Sequence, residues 1–212
     1  MKKFITFEGG EGSGKTTQCK LLSKSLLKIN EDNFLTREPG GTDFSEKIRN
    51  LVTNNNKFNV TLDSELLLIY ASRCDHLKKK IIPNLKNKTV ICDRFIHSTL
   101  AYQSDAENFN KKIKFIHKYF ANNIMPDLTI LIDISPELGI KRSLKNKKIE
   151  TRFENKQISF HRKIRKNFLD LEKKSKKIYK INGSFSKHDI HIQIIDFINS
   201  KGFFKKKIPY SI

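Results

Sequence analysis

The sequence contains no tryptophan, only three cysteines and only five prolines among its 212 residues. It also lacks any apolar run near the ~20 residues that a membrane-spanning helix needs. Cys19, Cys74 and Cys92 are odd in number and lack the spacing of a metal site, which argues against a disulfide framework and against zinc. The segment of residues 1–7 is too short for a signal peptide, because a glycine-rich stretch follows it almost at once. We therefore expect a cytoplasmic protein that does not bind a membrane.

Acidic residues are scarce as well, because 22 aspartates and glutamates stand against 42 lysines and arginines, for a net charge of +20. Such a charge is typical of nucleic-acid binding. The lysines, however, are spread along the whole chain, without an arginine-rich helix or an aromatic-interleaved basic strand. Asparagine and isoleucine are abundant too, which suggests an AT-rich genome acting on tolerant surface positions. We expect no nucleic-acid partner, although the positive field would attract anionic nucleotides.

What the chain does contain is an alternation of short apolar strands and amphipathic helices, over a length suited to a single domain of residues 1–212. Strands are predicted at 3–7, 34–36, 89–92, 128–132 and 177–181, and helices at 15–28, from 42 onward and at 64–80. The last of these helices should end before Pro83. The alternation predicts an α/β fold with a parallel sheet and right-handed crossovers.

A complete G-x-x-x-x-G-K-[ST] pattern lies at residues 9–16, between a predicted strand and a predicted helix. Glycines there let successive backbone N–H groups point at a polyphosphate, and the helix N-terminus adds positive charge. Lys15 would reach the β- and γ-phosphates, and the Thr16 hydroxyl could ligate Mg²⁺. The predicted ATP-binding residues are Gly9, Gly10, Glu11, Gly12, Ser13, Gly14, Lys15, Thr16 and Thr17.

This loop does not by itself choose among kinases, GTPases and motor ATPases. The Asn-Lys-x-Asp sequence that reads guanine is absent, and the third strand ends in Cys92-Asp93-Arg94 rather than in paired carboxylates. No water-activating hydrolase centre is therefore evident. A chain of 212 residues also leaves little room for motor machinery. A kinase acting on a small molecule is favoured.

Two arginines should lie close to the phosphate-binding loop, since Arg37 follows the second predicted strand and Arg94 follows the third. In an open α/β sheet, ligands bind beyond the carboxyl ends of the strands. Guanidinium groups at that edge are suited to hold a second, acceptor phosphate through bidentate contacts. The alternative, a surface arginine paired with a carboxylate, stays open for each of them singly.

Two longer segments carry more specific patterns: Thr-Arg-Glu-Pro-Gly-Gly-Thr at 36–42, and Asp-Arg-x-x-x-Ser-x-x-Ala-Tyr-Gln at 93–103. With the phosphate-binding loop, they make the chain resemble the thymidylate kinase family of P-loop nucleoside-monophosphate kinases over nearly its whole length. The resemblance implies a three-layer α/β fold, with a five-stranded parallel sheet flanked by helices and a small mobile lid near residues 141–155. It also implies a homodimer that uses ATP and Mg²⁺ to phosphorylate dTMP.

The same resemblance implies roles for residues around the reacting phosphates. Arg94 would grip the dTMP phosphate, with Arg37 contributing from its loop. Asp93 would lie near Mg²⁺, which Thr16 also approaches. Lys15, Arg94 and Glu11 are therefore candidate catalytic residues.

Other implied roles concern the nucleoside of the acceptor. Arg73 would hydrogen-bond the thymine edge, aided by Ser98 and Gln103. Tyr102 would lie under the sugar, where its ring would crowd a 2′-hydroxyl. Glu11 would accept a hydrogen bond from the 3′-hydroxyl.

The lid region is expected to supply the remaining cations. Gly12 stands where some family members have a basic residue, and a glycine there accompanies catalytic cations on the lid. Arg152 is the preferred candidate for the transferring phosphate, and Arg142 resembles the residue that packs near adenine. Lys145, Lys147 and Lys148 could equally be solvated surface residues.

One departure from the family pattern concerns the thymine ring. An aromatic residue usually stacks on it from four positions before Arg73, where this chain has Ile69. Tyr70 is adjacent, but a helix turns ~100° per residue, so its ring need not face the base. We expect weaker dTMP affinity rather than lost activity.

Three further interpretations complete the sequence-based picture. His117, His161, His188 and His191 look like ordinary surface or amphipathic positions. A kinase for another nucleotide or a deoxynucleoside is the first alternative function. A basic nucleic-acid-binding protein, in which ATP is only regulatory, is the second.

Overall fold

The computed structural model describes residues 2–53, 60–103, 107–145 and 156–211. Five strands form one sheet, in which all neighbouring strands are parallel and the order is β2-β3-β1-β4-β5. The strands are β1 (Phe4–Glu8), β2 (Asn33–Arg37), β3 (Thr89–Asp93), β4 (Leu128–Asp133) and β5 (Ile178–Asn182). The predicted α/β class and parallel sheet are confirmed.

Helices cover both faces of the sheet. They are α1 (Lys15–Leu27), α2 (Asp43–Thr53), α3 (Leu62–His76), α4 (Ile82–Leu85), α5 (Ile96–Tyr102), α6 (Glu107–Phe120), α7 (Pro136–Leu144), α8 (Ile158–Lys173) and α9 (Lys187–Ser200). Helices α1 and α9 bury apolar residues against one face, and α3 to α6 together with α8 bury theirs against the other. The result is a three-layer fold with every residue of β1 buried at its centre.

The helix that begins at Leu62 does not end before Pro83, so that prediction is wrong. Helix α3 runs into a π-helical turn at Leu77–Ile81, which continues directly into α4. Pro83 lies in the first turn of α4. The wider turn precedes the proline: the Ile82 N–H donates to the Leu77 carbonyl, five residues back, and Pro83 itself has no N–H to donate.

Three histidines assigned to surface or amphipathic positions are in fact almost wholly buried, namely His117, His161 and His191. Each lies on the inward face of an amphipathic helix, so an apolar face in the sequence does not exclude a histidine. Within the described residues, no helix is long and apolar enough to cross a membrane. Most of the predicted lid, including Lys147, Lys148 and Arg152, lies outside the described residues.

The strand order places the ends of β1 and β3 side by side. Phe7 pairs with Asp93 across the two strands. The backbone N–H of Arg94 then donates to the Phe7 carbonyl over 2.9 Å. The chain that follows β1 and the chain that follows β3 therefore leave the sheet together, at the edge where ligands bind in open α/β sheets.

Candidate active site

The predicted phosphate-binding loop joins β1 to α1, as the sequence indicates. Its backbone needs glycine, since φ is +142° at Gly9, +64° at Gly12 and +95° at Gly14. Lys15 lies inside the loop and donates to the Gly10 carbonyl over 2.7 Å and to the Ser13 hydroxyl over 3.2 Å. Burial, followed by the nearby Arg94, lowers the pKa of Lys15 to about 8. These surroundings disfavour the charged form of Lys15, and a polyphosphate bound beside it would stabilise that charge.

Arg94 points into the loop from the end of β3. Its Nη1 donates to the Gly9 carbonyl over 3.1 Å and its Nη2 to Glu11 over 2.7 Å. The backbone of Arg94 is left-handed, with φ +70°, a conformation uncommon outside glycine and typical of functional sites. Its guanidinium also lies 5.1 Å from the Tyr102 ring centroid. Lys15 and Arg94 both line one cleft.

Glu11 connects these groups. Its Oε1 accepts from Arg94 and, over 2.8 Å, from the Tyr102 hydroxyl. Burial alone would raise the pKa of Glu11, but Arg94 and Lys15 outweigh it and hold that pKa at about 2. Glu11 is thus ionised and occupies Arg94 in this structure.

Part of the cleft is built on α3. Arg73 is 2% exposed; its Nε donates to Glu38 over 2.7 Å and its Nη2 to the Thr99 hydroxyl over 2.9 Å. Its Nη1 has no hydrogen-bond partner, and neither has Oε1 of the buried Gln103. Both side chains line the cleft. A buried donor and a buried acceptor left unpaired in a pocket point to a ligand with polar edges.

The position expected for an aromatic stack also faces the cleft. Ile69 lines it, whereas Tyr70 is buried in the core and donates to the Ile113 carbonyl over 3.3 Å. This position agrees with the interpretation that the Tyr70 ring need not face the base.

Other predicted residues are engaged differently from their proposed roles. Arg37 is at the rim of the cleft, about half exposed, and pairs with Glu46 over 2.8 Å. The Ser98 hydroxyl donates to Glu8 and accepts from Arg94, so it supports the arginine in addition to lining the cleft. Arg142 reaches away from it and donates to the Gly183 carbonyl over 2.6 Å.

The two residues predicted to approach Mg²⁺ lie beside the loop. The Thr16 hydroxyl donates to the Asp93 carboxylate, so the two predicted Mg²⁺ residues adjoin each other. Oxygen donors of this kind suit Mg²⁺, which keeps several waters and takes one or two protein ligands. Over the described ranges, no group of three or more His, Cys, Asp and Glu side chains could hold a metal by itself.

Three residues that support the site were not assigned from the motifs. Glu38 and Thr99 bond to Arg73, whereas Glu8 bonds to Ser98 and lies in no motif. Glu38 lies inside the Thr-Arg-Glu-Pro-Gly-Gly-Thr segment, so the segment itself was the available signal. Arg49 also lines the cleft and donates to the Pro39 carbonyl over 2.9 Å.

One continuous cavity of about 390 Å³ joins the two ends of the site. It is lined by most of the predicted residues: Glu11, Gly12, Ser13, Gly14, Lys15, Thr16, Thr17, Arg37, Arg73, Asp93, Arg94, Ser98, Tyr102 and Gln103. A phosphate-binding loop facing an arginine-lined pocket, on a sheet of order 2-3-1-4-5, defines the class of P-loop nucleoside-monophosphate kinases.

Comparison with known proteins identifies the family within that class. The family model described as thymidylate kinase matches residues 7–194. Thymidylate kinase of Orientia tsutsugamushi is 42% identical over 206 residues, covering 94% of each chain, and that of Clostridium novyi is 43% identical over 210 residues, covering 95% of this chain and 98% of its own. The crystal structure of thymidylate kinase from Ehrlichia chaffeensis superposes with a TM-score of 0.73, at 34% identity, covering 93% of this chain and 98% of its own.

The chain belongs to the thymidylate kinase family. The predicted family, P-loop kinase fold and phosphotransferase class are thereby confirmed.

Proposed function

We propose that this chain transfers the γ-phosphate of ATP to dTMP, giving ADP and dTDP for dTTP biosynthesis. The observation that carries the proposal is that Lys15 and Arg94 line one cavity, in which Glu11 accepts a hydrogen bond from Arg94. Two cations in one cavity suit a reaction that brings two phosphates together. The family of the chain supports both substrates.

The donor phosphates would lie in the curled loop, where Lys15 exchanges its contacts with Gly10 and Ser13 for β- and γ-phosphate oxygens. The acceptor phosphate would replace Glu11 as the partner of Arg94. Glu11 would then be available to accept a hydrogen bond from the sugar 3′-hydroxyl. Phosphoryl transfer needs little covalent help from the protein, so alignment and charge neutralisation carry the rate. Thr16 and Asp93 would hold Mg²⁺, which would supply charge neutralisation to the phosphates.

Thymine recognition is assigned to the unpaired atoms at the far end of the cleft. Arg73 Nη1 is a donor for a carbonyl oxygen, and Gln103 Oε1 is an acceptor for the ring N–H. Because these atoms are buried, a base without complementary edges would leave them unsatisfied. The Tyr102 ring forms the floor near Arg94 and would crowd a ribose 2′-hydroxyl.

The proposal also assigns roles to cationic side chains of the lid, near residues 141–155. Arg142 already sits at the loop after β5, where it donates to the carbonyls of Gly183 and Ser184 and would border adenine. Arg152, assigned to the transferring phosphate by the resemblance, and Lys147 and Lys148 lie outside the described residues.

A coupled assay over a panel of nucleoside monophosphates tests the function. We expect ADP release with dTMP to exceed that with dCMP, dGMP, AMP and thymidine, and Arg94→Gln to abolish it. Arg162→Gln is the matched control, since Arg162 is exposed and pairs with Glu137 on the surface. Turnover stimulated by polynucleotide but not by dTMP would contradict the proposal and favour the nucleic-acid alternative.

We also propose that the enzyme works as a homodimer in the cytoplasm. Leu67 on α3 and Phe115 and Tyr119 on α6 are each about 60% exposed and lie on adjacent helices. A second copy of the chain would cover this apolar face. The three free cysteines fit a reducing compartment.

The oligomeric state can be measured by sedimentation. A dimer should dissociate in Leu67→Lys but persist in Leu27→Lys, which alters an exposed leucine on α1. A monomeric wild type would contradict the dimer without affecting the kinase assignment.

A further inference from the structure

Glu8 is a buried carboxylate that no motif includes. It is the last residue of the central strand β1 and has no exposed surface. Its Oε1 accepts from the backbone N–H of Phe95 over 2.8 Å, and its Oε2 accepts from the Ser98 hydroxyl. Burying a carboxylate costs free energy unless it is hydrogen-bonded, so these two hydrogen bonds account for its presence in the interior.

Both partners of Glu8 belong to the turn that presents Arg94. That turn is unusual, because Arg94 has φ +70° and Phe95, at the N-cap of α5, offers no side-chain cap. In a capping box, a glutamate three residues into the helix accepts from the N-cap N–H. Here Ser98 occupies that place in the helix, and Glu8 supplies the missing carboxylate from the neighbouring strand.

The Ser98 hydroxyl links this carboxylate to the guanidinium. It donates to Glu8 and accepts from Arg94 Nη1 over 3.1 Å. Arg94 Nη1 has a second contact with the Gly9 carbonyl, and Gly9 directly follows Glu8. Glu8 therefore fixes the backbone of the turn and one edge of the arginine, whereas Glu11 holds the other nitrogen, Nη2.

We propose that Glu8 is a positioning residue for the acceptor phosphate, acting through the Phe95 N–H and the Ser98 hydroxyl to aim Arg94 into the cleft. The proposal rests on the acceptor-phosphate role of Arg94 given above. Glu8 does not line the cavity, so it acts without touching either nucleotide. Its effect should therefore fall on the acceptor and spare ATP.

The charge surroundings of Glu8 give the network a pH response. The groups that face it are Arg94 beyond β3, Lys15 and Cys19 on α1, and Cys92 on β3. Burial raises the pKa of Glu8 to about 7, against the opposing effects of Ser98 and Arg94. Protonation would leave one carboxyl oxygen a donor instead of an acceptor, which reverses its hydrogen bond with Ser98.

The test compares Glu8→Gln with wild type in steady-state kinetics of both substrates. The amide keeps the shape of the side chain but has only one acceptor oxygen, so it can accept from the Phe95 N–H or from Ser98, not from both. We expect kcat/KM for dTMP to fall about tenfold or more, the effect of losing a hydrogen bond to a charged group, with KM for ATP unchanged. Thr6→Val is the matched control, because Thr6 is equally buried on β1 but bonds to Thr129, away from Arg94.

Two further measurements separate positioning from a merely structural role. Ser98→Ala should reproduce the fall in kcat/KM for dTMP. In the double variant, the loss of kcat/KM for dTMP, expressed as a free energy, should be smaller than the sum of the losses in the two single variants. The ratio of wild-type to Glu8→Gln kcat/KM for dTMP should also shrink as pH falls below about 7, because Glu8 of the wild type then takes up a proton. The titration of dTMP itself cancels in that ratio. A structural role would give a ratio that is constant with pH.

Unchanged dTMP kinetics in Glu8→Gln, or equal losses for ATP and dTMP, would overturn the inference. If Glu8→Gln does not fold, Ser98→Ala decides the matter, and unchanged dTMP kinetics in that variant would overturn it. A wild type that does not phosphorylate dTMP would instead overturn the proposed function.

Discussion

Arg73 is held before any ligand arrives. Burial alone would raise the pKa of Glu38, but Arg73 and His76 outweigh it and hold that pKa below its ordinary value. The His76 ring in turn contacts Glu38 over 3.2 Å and the Thr36 hydroxyl over 2.7 Å. A guanidinium locked in this way needs little reordering to bind a base, which preserves affinity.

The wall that we propose to face thymine carries Ile69, which offers no aromatic ring. We predict that Ile69→Phe lowers KM for dTMP several-fold, since one base–aromatic stack contributes about 1–3 kcal/mol. Leu62→Phe is the control: Leu62 is an exposed residue on the same helix, so KM should stay unchanged. An Ile69→Phe variant with an equal or higher KM for dTMP would count against the stacking argument.

These side chains show which parts of a site a sequence reveals. Lys15 and Arg94 were predictable, since each lies in a motif that fixes its local geometry. Glu8 was not, because a glutamate at a strand end looks the same whether it faces solvent or the interior. Its burial follows from β1 being the central strand, which depends on where the distant β3 and β4 pair. The contact of Glu38 with Arg73 likewise joins residues 35 positions apart.

Helix α7 and the phosphate-binding loop approach each other through two glycines. A Cβ at Gly12 would lie 1.9 Å from the Gly139 carbonyl oxygen, and a Cβ at Gly139 would lie 2.4 Å from the Glu11 carbonyl oxygen. Both obstacles are backbone atoms, which cannot rotate away. Gly12 is therefore required by packing, whatever cations the lid supplies.

We predict that Gly139→Ala displaces the loop from α7 and lowers kcat/KM for ATP about tenfold. The reason is steric: overpacking typically costs about 1–3 kcal/mol, and here it acts on the backbone that holds the phosphates. Leu144→Ala, an exposed position on the same helix, should have no effect. Wild-type ATP kinetics in a folded Gly139→Ala variant would show that the contact is not needed.

Element boundaries were predictable where hydrophobic patterns are strong, as in β1, β3 and β4. The course of the chain after α3 was not, because a π-helical turn leaves no periodic signature in Leu77–Ile81. The pattern of a helix followed by proline reads as a stop, yet one wider turn lets the chain continue past it.

The C-terminal segment closes the opposite face of the molecule. Ile208 is 3% exposed and joins the core beneath α1 and α9, while Asn199 bonds both to its N–H and to its carbonyl. The Ser211 N–H donates to His191 over 3.1 Å. Ile208 therefore anchors the C-terminal segment, residues 205–211, to the core, while the three lysines before it stay exposed.

We predict that Ile208→Ala lowers the free energy of unfolding by about 2–5 kcal/mol, as expected for a buried isoleucine truncated to alanine. Lys206→Ala, an exposed neighbour in the same segment, should change it little. Urea denaturation measures both. An Ile208→Ala variant as stable as wild type would mean that the segment does not contribute to the core.

Three buried histidines make the stability of the whole fold depend on pH. Burial, assisted by nearby cations, lowers the pKa values of His97, His117 and His191 to about 4. In the unfolded chain, the three histidines would have the ordinary pKa of about 6.5. Between those two values the unfolded state binds more protons, so stability falls as pH falls. Glu8 acts in the opposite direction, since its raised pKa favours the folded state as pH drops from about 7, but it is one group against three.

We therefore predict that the free energy of unfolding decreases steadily as the pH is lowered from about 6.5 to about 4. Each proton taken up only by the unfolded state contributes a slope of about 1.4 kcal/mol per pH unit. His191→Gln should flatten the profile, because its ring accepts from Ser211 only while neutral, and His188→Gln should not. Urea midpoints that stay constant over this range would mean that the three rings titrate normally in the fold, and that their burial does not oppose the charge.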